Sequence, residues 1–413
     1  MSSRILNVAV VGCGEVAQCV HLPLLQVASD QFRVTALCDI SADSLAFCGN
    51  RFGIVPRFTS LTEMLSSSLA IDLVVILTAD EYHAEQVVQC ADAGKHVLIE
   101  KPMARTFAEA DAIEAARVRN GVVIFVGYMR RYALALQRVK EEIGERQIKY
   151  LRVRDIIGDN SYFTSQAGMH LKRFTDFPPT AREDMQNRQR ANLAEMLGEE
   201  AVQDPRNLHA WTLLGSLGSH DFSAMRDLVG MPEKCLLATR NEDGMWWSAV
   251  FAYHGFKAYY EMAIDDVAVF DAHLEVYTGD KRIKIQYDTP YVKGLPIKVV
   301  IQAQLPNGDF AETIVRPTYE DTYSLEYNEL YAAIVAGKAY QTTPVDAKQD
   351  LMLAKMVMES LAPKKEKVEL DDDDLALKAK LKKEADEKKA MAAKAAKGGP
   401  MGGGGIKKSG GKK

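Results

Sequence analysis

Two features of this 413-residue chain have the residue types and spacing that redox chemistry on a nucleotide would need. Lys101 closes the apolar run His96-Val97-Leu98-Ile99 in the order Glu100-Lys101-Pro102, which puts an ammonium group at the end of a buried strand. A cation there lies at the carboxyl edge of a parallel sheet, where open α/β folds place ligands, and could handle a proton. Upstream, Val8-Ala9-Val10-Val11-Gly12-Cys13-Gly14-Glu15-Val16-Ala17 spells GxGxxA at a strand-to-helix turn. Gly12 permits the tight turn, Gly14 lets a pyrophosphate approach the backbone, and Ala17 allows close helix packing. The next apolar run ends at Asp39, whose carboxylate could accept both ribose hydroxyls of an adenosine and would repel a 2′-phosphate. NAD is therefore expected over NADP, although Arg51 and Arg57 stand close enough in sequence to serve a phosphate. Asp39 followed by Ser41 and Asp43 also reads as a helix cap.

The elements that must hold these residues follow from hydrophobic periodicity. Up to residue 127 short apolar runs alternate with helical patterns, the mark of βαβ units on a parallel sheet. Strands are expected at 5–11, 32–38, 73–77, 96–99 and 122–126, with helices at 15–27, 44–52, 61–66, 81–93 and 106–119. After Tyr132 the pattern turns to longer, often alternating strands at 150–154, 235–239, 246–253, 258–262, 273–277, 282–286 and 298–304. These read as one open, mainly antiparallel sheet with helices on one face, closed by helices 323–335 and 347–361. Residues 158–210 interrupt the pattern and read as an inserted loop near the site. The expected architecture is α/β: a Rossmann domain over 1–130, an α+β substrate and oligomerisation domain over 131–361, and a Lys-rich low-complexity tail over 362–413.

Composition sets the outer limits. The chain is 47% hydrophobic and 26% charged, with no run of eighteen apolar residues, so a soluble protein without a membrane role is expected. Its six cysteines lack CxxC spacing and read as reduced core residues of a cytoplasmic protein, and no metal site is expected. The formal charge of −5 hides an asymmetry, because fifteen Lys stand against nine Asp or Glu after residue 361. Residues 1–361 keep thirty-six basic and forty-seven acidic side chains, a formal −11, which argues against nucleic-acid binding by the folded part.

With Gly12–Ala17, Asp39, Thr78 and His83, Glu100-Lys101-Pro102 and Tyr128-Met129-Arg130-Arg131-Tyr132 in this order, residues 5–361 resemble the Gfo/Idh/MocA oxidoreductases, most like the fungal branch. The resemblance implies hydride transfer between NAD(P) and a carbon of a sugar, polyol or related ring, and a homodimer or homotetramer formed through the open sheet face. It implies a cofactor held by Gly12, Cys13, Gly14, Glu15, Val16, Ala17, Asp39, Thr78, His83, Glu100, Lys101, Pro102 and Arg130. A cis bond often precedes the family's proline. The second catalytic segment has Asp, three residues, then His, and it falls on Ser216-Leu217-Gly218-Ser219-His220. His220 would be the base and Lys101 the oxygen-positioning cation, with Tyr128, Arg131 and Ser216 beside the substrate. Ser216 replaces the carboxylate, and Asp221, pointing about 100° around a helix from His220, is the nearest substitute. Tyr162, His170, Trp211 and Tyr291 are further polar-pocket candidates, although aromatic residues at such spacings more often belong to the core.

Ser216 also motivates an alternative, a catalytically silent NAD(P)-binding regulator on the same scaffold. The tail, ending Gly405-Ile406-Lys407-Lys408-Ser409-Gly410, resembles a small ribosome-linked, translation-machinery-associated family. Either a fusion or a mis-joined gene would account for it. A third reading, a ribosome-associated factor acting through the tail, rests on that segment alone.

Overall fold

The computed structural model describes residues 4–361; the tail expectation lies outside them. The first sheet has six parallel strands in the order β3-β2-β1-β4-β5-β6: β1 Leu6–Val11, β2 Phe32–Cys38, β3 Arg57–Phe58, β4 Leu73–Ile76, β5 His96–Ile99 and β6 Ile124–Val126. Between them run α1 (Leu22–Val27, preceded by a π turn Ala17–His21), α2 (Ala42–Phe52), α3 (Leu61–Ser66), α4 (His83–Asp92) and α5 (Phe107–Asn120). Central strands β1, β4 and β5 are buried almost end to end, as helices on both faces require. Strand order reverses between β1 and β4, the point where open α/β sheets bind ligands. Ser41 caps α2 by accepting the Ser44 amide, and Thr106 with Glu109 forms a reciprocal capping box on α5.

The second sheet has eight strands, ordered β14-β13-β12-β11-β7-β10-β9-β8. After α6 (Leu134–Ile143) come β7 (Tyr150–Gly158), α7 (Asn160–Thr164), α8 (Ala181–Leu197), α9 (Glu199–Val202), α10 (Pro205–Ser216) and α11 (Gly218–Val229). Then follow β8 (Lys234–Arg240), β9 (Trp246–Tyr253), β10 (Phe256–Asp265), β11 (Phe270–Tyr277), β12 (Lys281–Tyr287), β13 (Lys298–Gln304), β14 (Phe310–Val315), α12 (Thr322–Ala336) and α13 (Pro344–Leu361). Only β7 and β10 pair in parallel; the other pairs are antiparallel. Alternation sends Leu151, Val153, Phe251 and Tyr260 into the core against Phe222 of α11. The opposite face carries Tyr150 stacked on Tyr259 and the Arg152–Glu261 pair. α12 returns to the first sheet, where Tyr327 and Leu330 pack with Leu6 and Phe32.

Three expectations need correction. Residues 158–210 are largely helical, carrying α7, α8, α9 and the start of α10; the charged sequence of α8 buries only Leu193 and Met196, too little for a recognisable apolar stripe. β14 escaped notice because it is an edge strand whose residues are all exposed or half-buried, so no inward-facing alternation marks it. The helix expected at 81–93 begins as a separate 3₁₀ turn, Asp80–Tyr82.

Candidate functional site

Gly12 has φ +94°, and a Cβ there would lie 2.6 Å from the Leu77 carbonyl oxygen across the switch point, so only glycine fits. Beside Gly14 the space is open: a Cβ would meet nothing within 4 Å. A closed turn next to a clear backbone edge is what an approaching pyrophosphate needs. Asp39 stands at the end of β2 and accepts from the Cys13 amide (2.6 Å) and the Ser41 amide (2.8 Å). Burial pushes its carboxyl up against those two hydrogen bonds. Cys13 and Ala17 are buried, and Glu15 pairs with Arg173 at 3.0 Å. These residues fit a dinucleotide.

At β5 the chain passes through Glu100 into a cis Lys101–Pro102 bond. The Glu100 carboxylate receives the Lys101 amide (3.1 Å) and faces His21 Nε2 at 3.0 Å; His21 Nδ1 in turn faces the Tyr327 hydroxyl at 2.8 Å. Burial raises the Glu100 carboxyl, but the His21 hydrogen bond and the His21 and Lys101 charges outweigh it and leave it below its ordinary value. Sequence reasoning passed over His21 because its partners lie 79 and 306 residues away. Thr78 donates its hydroxyl to Gln86, and His83 presents its ring nitrogens to the Pro102 and Thr78 carbonyls. Thr78 and His83 thus lie beside the Glu100-Lys101-Pro102 turn.

From that turn the Lys101 ammonium donates to the Ser216 carbonyl at 2.7 Å. Ser216 ends α10, and α11 begins two residues later and carries His220. Burial, then the charges of Lys101 and Arg130, drive His220 well below the usual histidine value, so the ring is neutral near pH 7. Its Nδ1 is shielded from solvent and has no hydrogen-bond partner among the described residues.

The other expected site residues go elsewhere. Arg130 is buried, donating to Asp221 at 2.6 Å and Asp155 at 3.0 Å, with its guanidinium 4.5 Å from the Tyr287 ring centre. Asp221 therefore turns to Arg130 and does not replace the missing carboxylate; burial and the Asp155 charge raise its carboxyl well above the ordinary range. Arg131 pairs with Asp227 and Asp346, and Tyr128 is buried beside Asp350, which holds Arg226. Both belong to the packing of α11 against α13. Trp211 lies under the Arg105 guanidinium, while Tyr162 and His170 stand exposed on the insertion. The Tyr291 phenol is raised by burial, then by the Glu15 and Glu100 charges, and its hydroxyl accepts from the Asn160 side-chain amide at 3.4 Å.

Residues 6–128 match the model of the Gfo/Idh/MocA oxidoreductase family, described as an NAD-binding Rossmann fold. Over these residues, which carry the first sheet, the chain is similar to that family. Residues 360–413 match a translation-machinery-associated family, almost wholly outside the described residues. A 4-carboxy-2-hydroxymuconate-6-semialdehyde dehydrogenase of a Sphingobium species is 29% identical over 169 residues, 40% of this chain and 51% of that protein. A myo-inositol 2-dehydrogenase of Thermotoga maritima is 25% identical over 138 residues, 33% of this chain and 40% of its own. The chain thus spans about half or less of the length of these curated relatives. A 3-ketoreductase from Actinomadura kijaniata, solved with NADP and TDP-benzene, superposes with TM-score 0.65 at 17% identity, covering 87% of this chain and 98% of that one. That likeness extends the shared fold over both sheets.

Proposed function

We propose that the chain is an NAD(P)-dependent oxidoreductase, with NAD preferred, acting on a hydroxyl or carbonyl carbon of a sugar, polyol or related cyclic compound. The observation that carries this reading is the reach of Lys101 from the carboxyl edge of the dinucleotide sheet to the Ser216 carbonyl, beside the helix that carries His220. The turn at Gly12–Ala17 and Asp39 would hold the dinucleotide. When bound, nicotinamide supplies the two-electron acceptor or donor. His220, kept neutral by burial and by neighbouring cations, is free to take the hydroxyl proton of an alcohol undergoing oxidation. Lys101 donates to the same oxygen and stabilises the charge that develops as the proton leaves. Glu100, fixed by His21, holds the Lys101 backbone in place. The 131–361 region is assigned to substrate binding and self-association, and the protein to the cytoplasm; among the described residues no helix is long and apolar enough to cross a membrane.

One observation favours a second reading: the charges acting on His220 are both positive, from Lys101 and Arg130, and Asp221, the carboxylate next to it in sequence, is taken up by Arg130. A silent NAD(P)-binding regulator would tolerate this. Equilibrium titration with NADH and NADPH, followed by NAD(P) reduction against sugars, polyols and cyclic alcohols, separates the two. Binding with turnover of at least one compound supports the enzyme. Binding without turnover across the panel favours the regulator, and absence of nicotinamide binding defeats both.

A further inference from the structure

The insertion after β7 does more than connect elements. Its residues 169–176 lie along the rim of the dinucleotide turn and are tied to it at five places. Gln18, just past the GxGxxA turn, exchanges two hydrogen bonds with the Lys172 backbone, donating Nε2 to its carbonyl (3.0 Å) and accepting its amide (3.0 Å). Arg51 of α2 donates to the Met169 carbonyl. Phe174 meets Phe47 with ring centres 5.7 Å apart, and the Lys172 ammonium lies 5.0 Å from the same Phe47 ring centre. Arg173 pairs with Glu15 at 3.0 Å. The fifth tie is Asp176. Its Oδ1 accepts the Ser41 hydroxyl and its Oδ2 the Asp43 amide, 3.0 Å away.

That carboxylate occupies a particular place. Ser41 and Asp43 form the start of α2, and the Ser41 amide also donates to Asp39, so both carboxylates share one turn. In dinucleotide folds an acidic residue at the Asp39 position serves the adenosine ribose, and a phosphate on that ribose needs donors beside it. The Ser41 hydroxyl and Asp43 amide at the helix start are such donors. In this chain the anion that they hold comes from the protein itself. Meanwhile a Cβ on Gly14 would meet nothing within 4 Å, so the strap leaves the backbone edge beside Gly14 clear.

We propose that Asp176 is a specificity-determining residue that excludes NADP, its carboxylate standing where a ribose 2′-phosphate would seek its donors. The proposal rests on the reading of the turn as a dinucleotide site. It places selection against the extra phosphate on an inserted segment, more than a hundred residues from the fingerprint, in addition to Asp39. Arg51, the cation close in sequence that could have served a 2′-phosphate, is occupied by the same strap.

The test is equilibrium binding of NADH and NADPH to the full-length protein and to D176N and D176A, followed by nucleotide fluorescence at low and high salt. D176N keeps an acceptor for Ser41 and removes the charge; D176A also frees both donors. The wild type is expected to prefer NADH, and the ratio of NADPH to NADH dissociation constants to fall at least about tenfold in D176A, about 1.4 kcal/mol. A smaller fall is expected in D176N, and both should shrink as salt screens the exposed charge. A wild type that binds NADH and a ratio unmoved in both variants overturn the role of Asp176 while leaving the dinucleotide site standing. A wild type that prefers NADPH does the same. Binding of neither nucleotide overturns the dinucleotide reading itself, and this proposal with it.

Discussion

Lys101 and Arg130 are both cations that act on His220, yet they are embedded in opposite ways. Arg130 is buried between two carboxylates and an aromatic face, so its charge is used up in joining the Tyr128–Tyr132 segment to β7 and α11. Lys101 is half-buried, and the hydrogen bond recorded for its ammonium goes to a neutral carbonyl. A cation neutralised by partners of its own stabilises the fold, whereas one held by a weak acceptor at a sheet edge remains able to serve an incoming oxygen. The same contrast separates Tyr128 and Arg131, absorbed by the α11–α13 interface, from His220 with its unpartnered Nδ1.

This comparison can be broken most directly at Lys101. Lys101→Met should lower turnover by about 10²–10³-fold, the range for removing one donor to a developing oxyanion. Its unfolding free energy should change by about 1 kcal/mol or less, since one hydrogen bond is lost. Equal losses of turnover and stability would erase the distinction from Arg130. Arg130→Met should do the reverse and destabilise by about 3–5 kcal/mol in urea unfolding, because Asp155 and Asp221 would be left buried without their cation.

A smaller effect concerns pH. His220 is held below its ordinary value of 6.5, so the acid limb of kcat/KM should fall below pH 6.5 and disappear in His220→Asn. The same depression means that the unfolded chain binds this proton more readily. The histidine's contribution to stability is therefore complete above pH 6.5 and is lost as pH falls below it. The smallest expected effect comes from Ser216→Asp. A carboxylate at the end of α10, across the Leu217 break from His220 on α11, should move the acid limb upward by about one pH unit if it faces the histidine. No shift would show that the side chain at 216 does not face the histidine.

The parts of this arrangement that could be read in the sequence are those whose signal is local. Gly12, Gly14 and Ala17 announce a turn because each supplies its own steric reason, and Glu100-Lys101-Pro102 follows an unbroken apolar strand. Ser216 and His220 were placed by resemblance to a family motif, since nothing in their local pattern distinguishes them from packing residues. The ion pairs of Arg130 are not legible in the sequence, because its partners are 25 and 91 residues away and no periodicity links an arginine to carboxylates on β7 and α11. The ties of the 169–176 strap to Gln18 span 154 residues and were equally hidden. β14 and α8 lacked the buried stripe that makes an element visible.

The central claim is that Lys101 is the cation of the reacting centre and not another structural ion-pair residue. It is tested most directly by measuring NADH binding and NAD-dependent turnover side by side for the wild type and Lys101→Met, on whichever sugar, polyol or cyclic alcohol the wild type turns over. The account predicts NADH dissociation constants within about threefold of each other and turnover lower by at least about a hundredfold in the variant. Turnover by the variant equal to that of the wild type would contradict it.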